Sequence, residues 1–121
     1  MNGRPIRVSD VTSLSEALIG TGFSYDADAR VVQAELAGRV LPRARDIRRT
    51  GSAALDLTSL ACGRIDGFYE APMEPWDKAA GILIVEEAGG VVSELPAPKG
   101  LSPGVIAAGP KLHDALRALV V

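Results

Sequence analysis

The stretch EAPMEPWDKAAGILIVEEAGG, residues 70–90, combines a proline-rich loop, a mostly apolar run and a closing glycine pair. The apolar run predicts a helix over residues 76–88, because a glycine pair is suited to end one. Asp77 then falls in the first helical turn, where the helix dipole stabilises a carboxylate. Glu70 ends the strand that is predicted just before the loop. An acid at a helix start that also faces a cleft can hold a hard cation.

Strands and helices alternate along the rest of the chain. The helices at 53–62 and 76–88 are apolar nearly all round, so both are expected to be buried. The alternation predicts an α/β fold in which a sheet is layered against helices. The patterns predict strands at 16–23, 64–70, 91–95 and 105–108, helices at 29–40, 53–62 and 111–121, an extended piece at 45–50 and an edge strand within 1–13.

The bulk composition narrows the class of protein. A length of 121 residues suits one domain, and we expect residues 1–121 to form it. The net charge of −2 gives no electrostatic reason to expect nucleic acid or an anionic membrane as a partner. Cys62 is the only cysteine, which fits a reducing compartment. No apolar run has the length of a membrane span or the form of a signal peptide, so we expect a cytoplasmic protein.

Asp77 and Glu70 each allow two interpretations. Asp77 is either a magnesium ligand or an acid that only complements the helix dipole, and general helix-end preferences favour the second. Glu70 is either a solvated acid at a strand end or an acceptor for two neighbouring hydroxyl groups of a polyol.

The segment Gly51-Ser52-Ala53 precedes the predicted helix at 53–62. Glycine lets a ligand approach the backbone closely, and the free N–H groups of a helix start can bind an anion or a hydroxyl oxygen. Ser52 is also a favourable N-cap, so a purely structural role is equally open.

Other polar residues are expected to be structural or solvent-facing. Asp56 lies in an apolar run, so its carboxylate needs a hydrogen-bond partner. His113 is expected at the surface, and Cys62 is expected to be a small buried apolar residue. A solvated or partner-facing surface is expected for the basic cluster Arg43, Arg45, Arg48 and Arg49.

The chain resembles the inositol monophosphatase family. The family's C-terminal signature is Trp-Asp-x-Ala-Ala-Gly, a short apolar run, and Glu-Ala-Gly-Gly, and residues 76–81 and 87–90 match it. The segments ALIGTGFSYD, RDIRRTGSAALDL and ACGRIDGFYE also resemble consecutive segments of bacterial members. The resemblance implies that Asp77 binds a catalytic Mg²⁺, that Glu70 contacts an inositol ring, and that the backbone at Gly51, Ser52 and Ala53 lies beside that ring. A related sugar- or nucleotide-phosphate phosphatase stays open as an alternative.

The resemblance covers only the second half of such an enzyme, equivalent to its C-terminal domain. The family's Gly-Glu-Glu and Asp-Pro-(Ile/Leu)-Asp-Gly-Thr segments, which supply most metal ligands, do not occur in these 121 residues. We therefore expect the isolated chain to bind Mg²⁺ weakly, to hydrolyse little, and to form a homodimer or pair with an N-terminal half. A non-catalytic interaction module is the alternative function.

Overall fold

The computed structural model describes residues 3–97 and 100–121 and forms a three-layer α/β/α arrangement. This confirms the α/β fold class. The helices are α1 (Ala27–Val40), α2 (Ala53–Ala61), α3 (Pro75–Glu87) and α4 (His113–Val120). The strands are β1 (Leu18–Gly20), β2 (Asp46–Arg48), β3 (Gly67–Glu70), β4 (Val91–Leu95) and β5 (Gly104–Ala108).

The five strands form one mixed sheet in the order β2-β1-β3-β5-β4. β1 is parallel to both β2 and β3, whereas β5 is antiparallel to both β3 and β4. The predicted extended piece at 45–50 is the edge strand β2. β3 is the central strand of the sheet. Glu70 is its last residue and therefore lies midway along the side of the sheet at which β3 ends.

Side chains alternate between the two faces of β3, and each face carries its own core. Tyr69 packs with α1 and α4 on one face, whereas Phe68 packs with α2 and α3 on the other. Both side chains are almost fully buried. Since Glu70 follows Phe68 at the strand period of two, it belongs to the α2–α3 side.

The helices α2 and α3 pack closely because Gly81 has no side chain. A Cβ added at Gly81 would overlap the Leu57 side chain of α2. This close approach brings the starts of the two helices to the same end of the sheet, next to the end of β3.

Two burial predictions for these helices are wrong in part. Leu55 of α2 is 63% exposed, and in α3 Trp76 and Leu83 are 76% and 59% exposed. Each helix is covered by the sheet and by the other helix, so apolar residues on its outward side meet solvent.

The predicted edge strand near the N-terminus is also wrong, because residues 3–13 contain no strand. The segment instead crosses the end of the α2–α3 layer, where the Val8 N–H donates to the Ala88 carbonyl at 3.1 Å. Ser9 Oγ donates to Asp66 Oδ1 at 2.6 Å, and Asp66 Oδ2 accepts the Leu18 N–H at 2.8 Å. Side-chain anchoring therefore replaces strand pairing. Among the residues with a described placement, no helix has the length and apolar character that a membrane span requires.

Candidate active site

A cleft of about 360 Å³ lies between the starts of α2 and α3 and the end of β3. The fold brings two separate stretches, 51–54 and 70–77, to this one place. All five residues that the sequence singled out for substrate or metal line it, and their individual roles stay predictions. The lining residues are Gly51, Ser52, Ala53, Ala54, Glu70, Trp76 and Asp77.

The wall formed by α2 is its N-terminal turn. Gly51 has a φ of +89°, a conformation that side-chain-bearing residues rarely adopt, and it turns the chain from β2 into the helix. Ser52 is the N-cap, since its Oγ accepts the Leu55 N–H at 3.2 Å. A helix has no internal partner for its first N–H groups, so the Ala53 N–H can serve a ligand oxygen in the cleft.

Glu70 lines the cleft, and the pKa of its carboxyl is raised. Burial and, to a lesser extent, the negative charges of Asp56 and Asp77 raise the pKa of its carboxyl to about 7, and Arg49 opposes the rise. Space for the carboxylate exists because residue 22 is glycine: a Cβ there would overlap the Glu70 carboxylate. The position of Glu70 thus depends on a residue at the end of the neighbouring strand β1.

Asp56 is the buried acid behind Glu70, with a relative exposure of 1%. Its Oδ1 accepts a hydrogen bond from Thr50 Oγ1 at 3.0 Å. Burial raises the pKa of Asp56, and the Thr50 hydrogen bond counteracts that rise. The expected structural hydrogen bond is therefore present, and it ties α2 to the loop that carries Gly51.

Asp77 projects from the first turn of α3, where Pro75 occupies an N-terminal helical position. Its side chain is exposed, and Trp76 beside it is 76% exposed. Asp77 and Glu70 also border a second, smaller cleft of about 200 Å³, which extends to Phe23. The two carboxylates therefore border both clefts.

The donor chemistry of the cleft suits magnesium only as a partial ligand set. Mg²⁺ prefers oxygen ligands and typically takes one or two carboxylates, with water and substrate phosphate completing its shell. Asp77 and Glu70 supply carboxylates of that kind. Within residues 3–97 and 100–121, however, no three His, Cys, Asp or Glu side chains cluster in a way that could hold an ion.

The prediction that His113 lies at the surface is wrong, because the residue is only 6% exposed. Its Nε2 shares a hydrogen bond of 2.8 Å with Ser93 Oγ of β4, and its Nδ1 lies 3.0 Å from Asp114 Oδ1. The partner serine comes from twenty residues earlier, so local sequence gave no sign of this contact.

Sequence reasoning missed three residues near the cleft: Gly22, Thr50 and Phe23. The alternation of glycines in Gly20-Thr21-Gly22 was the available signal, since glycine at a strand end often marks the close approach of another group. The basic cluster divides in the structure: Arg48 pairs with Asp46 at 2.7 Å, whereas Arg49 lies over the Phe23 ring.

The model of the inositol monophosphatase family matches residues 1–121. The chain belongs to the inositol monophosphatase family. It is 49% identical over 116 residues to an inositol-1-monophosphatase of Mycobacterium leprae, covering 93% of this chain and 40% of that protein. It is 39% identical over 121 residues to the Nus factor SuhB of Escherichia coli, covering 98% of this chain and 45% of that one.

Solved structures agree with this membership. The structure of Mycobacterium tuberculosis SuhB superimposes with a TM-score of 0.83 at 46% identity, covering 94% of this chain and 44% of the other. The 121 residues of this inositol monophosphatase family member thus span less than half the length of these relatives.

Proposed function

We propose that the chain contributes the polyol-binding wall and one metal ligand to a magnesium-dependent phosphomonoesterase that acts on inositol phosphate. The observation that carries the proposal is the single cleft shared by Glu70, Asp77 and the start of α2. A polyol phosphate needs hydroxyl acceptors, hydroxyl donors and a cation site close together, and this cleft supplies a residue for each requirement.

In this proposal Glu70 and the start of α2 bind the inositol ring. The Glu70 carboxyl lines the same cleft as the start of α2. Its two oxygens can accept hydrogen bonds from two neighbouring ring hydroxyls when it is ionised. The Ala53 N–H can donate to a ring oxygen, since helix geometry leaves it without an internal partner.

Asp77 is the proposed Mg²⁺ ligand, because its exposed carboxylate borders both clefts. A bound magnesium ion supplies the positive charge that stabilises a phosphate ester as its P–O bond breaks. One carboxylate does not hold a pair of ions, so we infer that the 121 residues alone bind Mg²⁺ weakly and turn over little substrate. A cytoplasmic location stays a prediction from composition.

The test is phosphate release from myo-inositol 1-phosphate with Mg²⁺. The chain is assayed alone and after mixing with the N-terminal half of a family member. That N-terminal half is chosen so that it has no activity by itself. We expect low activity alone and a gain on mixing that Asp77→Asn abolishes. Asp28→Asn is the matched control, because Asp28 is also an exposed acid in the first turn of a helix. Full activity alone, or a gain that Asp77→Asn leaves intact, would contradict the proposal.

A second candidate is a non-catalytic interaction module, including a homodimer. The apolar side chains that α2 and α3 turn to solvent favour it, because exposed apolar patches mark sites of association. The relative called a Nus factor shows that the family includes members whose names do not denote hydrolysis. Association without any gain of activity on mixing would favour this candidate.

A further inference from the structure

The ring of Phe23 holds two guanidinium groups from different parts of the fold. Arg30 comes from α1 and Arg49 from the segment between β2 and α2, and each guanidinium carbon lies 5.8 Å from the ring centroid. The two positive charges are therefore at most twice that distance apart. An aromatic face attracts such cations, so the Phe23 ring favours conformations that keep both guanidinium groups close to it.

Among the described residues, neither Arg30 nor Arg49 forms a side-chain ion pair within 4.0 Å. The negative charge of Glu70 acts on Arg49 from a longer distance. Arg30 donates one hydrogen bond, to the Ser24 carbonyl at 3.0 Å. A guanidinium has five N–H donors, so most of those on the two arginines are available to a ligand.

Phe23 is also the wall between two spaces. On one side it borders the cleft of about 200 Å³ that contains Glu70 and Asp77. On the other side it lines a groove of about 370 Å³ together with Arg30, Ala34 and Ala37. A group attached to a polyol at Glu70 and directed along this cleft toward Phe23 would therefore meet the ring that both arginines contact.

We propose that Phe23, Arg30 and Arg49 form a subsite for a second phosphate group, carried by the polyol that binds at Glu70. The substrate class is then a polyol with one phosphate at the reacting position and another anionic phosphate across the ring. The polyol part of this inference rests on the proposed function, whereas phosphate binding by the cluster does not.

Phosphate is the anion that suits the subsite best. Its oxygens match the planar fork of a guanidinium, and its double charge gains from two cations at once. Exposed charges are screened by salt beyond a Debye length of about 8 Å at physiological ionic strength. Affinity should consequently fall as salt is raised.

The experiment uses the two phenylalanines of the chain as internal probes. Phe23 borders the subsite, whereas Phe68 is fully buried in the α2–α3 core. The chain is labelled with 4-fluorophenylalanine, and inorganic phosphate is added at constant ionic strength while both fluorine signals are recorded. We expect a saturable shift at Phe23 and none at Phe68.

Variants then assign the response. Arg30→Ser and Arg49→Ser should each weaken phosphate binding about two- to fivefold, the effect of losing an exposed charge pair. Arg43→Ser should not weaken it, because Arg43 lines a different groove beside α4. An unchanged Phe68 signal in each variant shows that the fold is retained. No shift at Phe23, an equal shift with chloride, or equal losses in the Arg43 variant would overturn the subsite.

The polyol link is tested with myo-inositol and myo-inositol 1,4-bisphosphate. We expect the bisphosphate to bind more tightly than either myo-inositol or phosphate, and Glu70→Gln to weaken the bisphosphate but not inorganic phosphate. Glu70-dependent inositol binding without any phosphate response at Phe23 would overturn this subsite and leave the proposed function standing. A phosphate response without polyol binding would overturn the polyol link and the proposed function together.

Discussion

Thr50 donates a hydrogen bond of 3.0 Å to the buried carboxylate of Asp56, and this contact joins the cleft loop to α2. Thr50→Val removes the hydroxyl but keeps the shape of the side chain. Because the carboxylate is then buried without this partner, we expect the free energy of unfolding to fall by about 1–3 kcal/mol.

Urea denaturation of both proteins measures the change. Thr58→Val is the control, since Thr58 Oγ1 donates only to the Ala54 carbonyl of its own helix. Equal losses in the two variants would show that the Thr50–Asp56 contact has no special weight.

Glu70→Gln should change how stability depends on pH. Burial and two nearby acids raise the pKa of Glu70 from 4.5 to about 7 in the folded chain. Between those values the folded state keeps a proton that the unfolded state has lost, so the free energy of unfolding falls as pH rises and the loss is complete above pH 7.

Glutamine cannot ionise, so the variant should be more stable than the parent at pH 8 and similar to it at pH 4. A pKa difference of this size corresponds to at most about 3 kcal/mol, and partial solvent contact reduces the expected gain to roughly 1–2 kcal/mol. Denaturation at both pH values measures it, with Glu94→Gln on the exposed side of β4 as the control. A gain that is equal at pH 4 and pH 8 would contradict the assignment to Glu70 ionisation.

Gly22→Ala should displace Glu70. Its new methyl group would overlap the carboxylate at the end of the flexible Glu70 side chain, and moving that side chain aside costs about 0.5–1.5 kcal/mol of stability. Gly38→Ala in α1 is the matched control, because a Cβ there meets no atom within 4 Å. The control should instead gain up to about 1 kcal/mol from its higher helix propensity. Thermal unfolding measures both changes. We expect Gly22→Ala to lower the stability and Gly38→Ala to raise it.

The outward side of α2 and α3 should cause association. Leu55 and Leu83 are 63% and 59% exposed, and Leu83 follows Trp76 by two helical turns, on the same side of α3. We expect light scattering to give a mass that rises with concentration and approaches the monomer mass in a Leu55→Gln, Leu83→Gln double variant. Val31→Gln, at a similarly exposed position of α1, should leave the concentration dependence of the mass unchanged. A monomeric parent chain would contradict this expectation.

The sequence predicted the positions of helices and strands better than the burial of individual side chains. The periods of apolar residues and the glycine stops located α1, α3 and β4 to within two residues, because those signals are local. The burial of His113 and the exposure of Leu55 and Trp76 depend on which element covers them. That information lies in tertiary packing and is not contained in a local pattern.

The same distinction between local and tertiary information applies to the candidate site. Glu70, Asp77 and residues 51–53 could be found because the resemblance to the family points to them, and the structure brings them to one cleft. The supporting contacts of Gly22 and Thr50 required the fold, since each joins residues that are far apart in sequence or hidden behind the cleft. Sequence therefore indicated the groups that face a ligand, and the structure was needed to find what holds them in place.

The central claim is that this cleft is the metal-binding and polyol-binding side of a phosphatase site, and paramagnetic Mn²⁺ tests it most directly. Mn²⁺ accepts the same carboxylate ligands as Mg²⁺ and broadens NMR signals of nearby nuclei. Trp76 is the only tryptophan, so its indole N–H gives one signal at the cleft. We predict that substoichiometric Mn²⁺ broadens this signal and the amides of residues 51–53 and 77 first. Asp77→Asn should abolish the effect, and Asp28→Asn should preserve it. Broadening that begins elsewhere, or that persists in Asp77→Asn, would contradict the account.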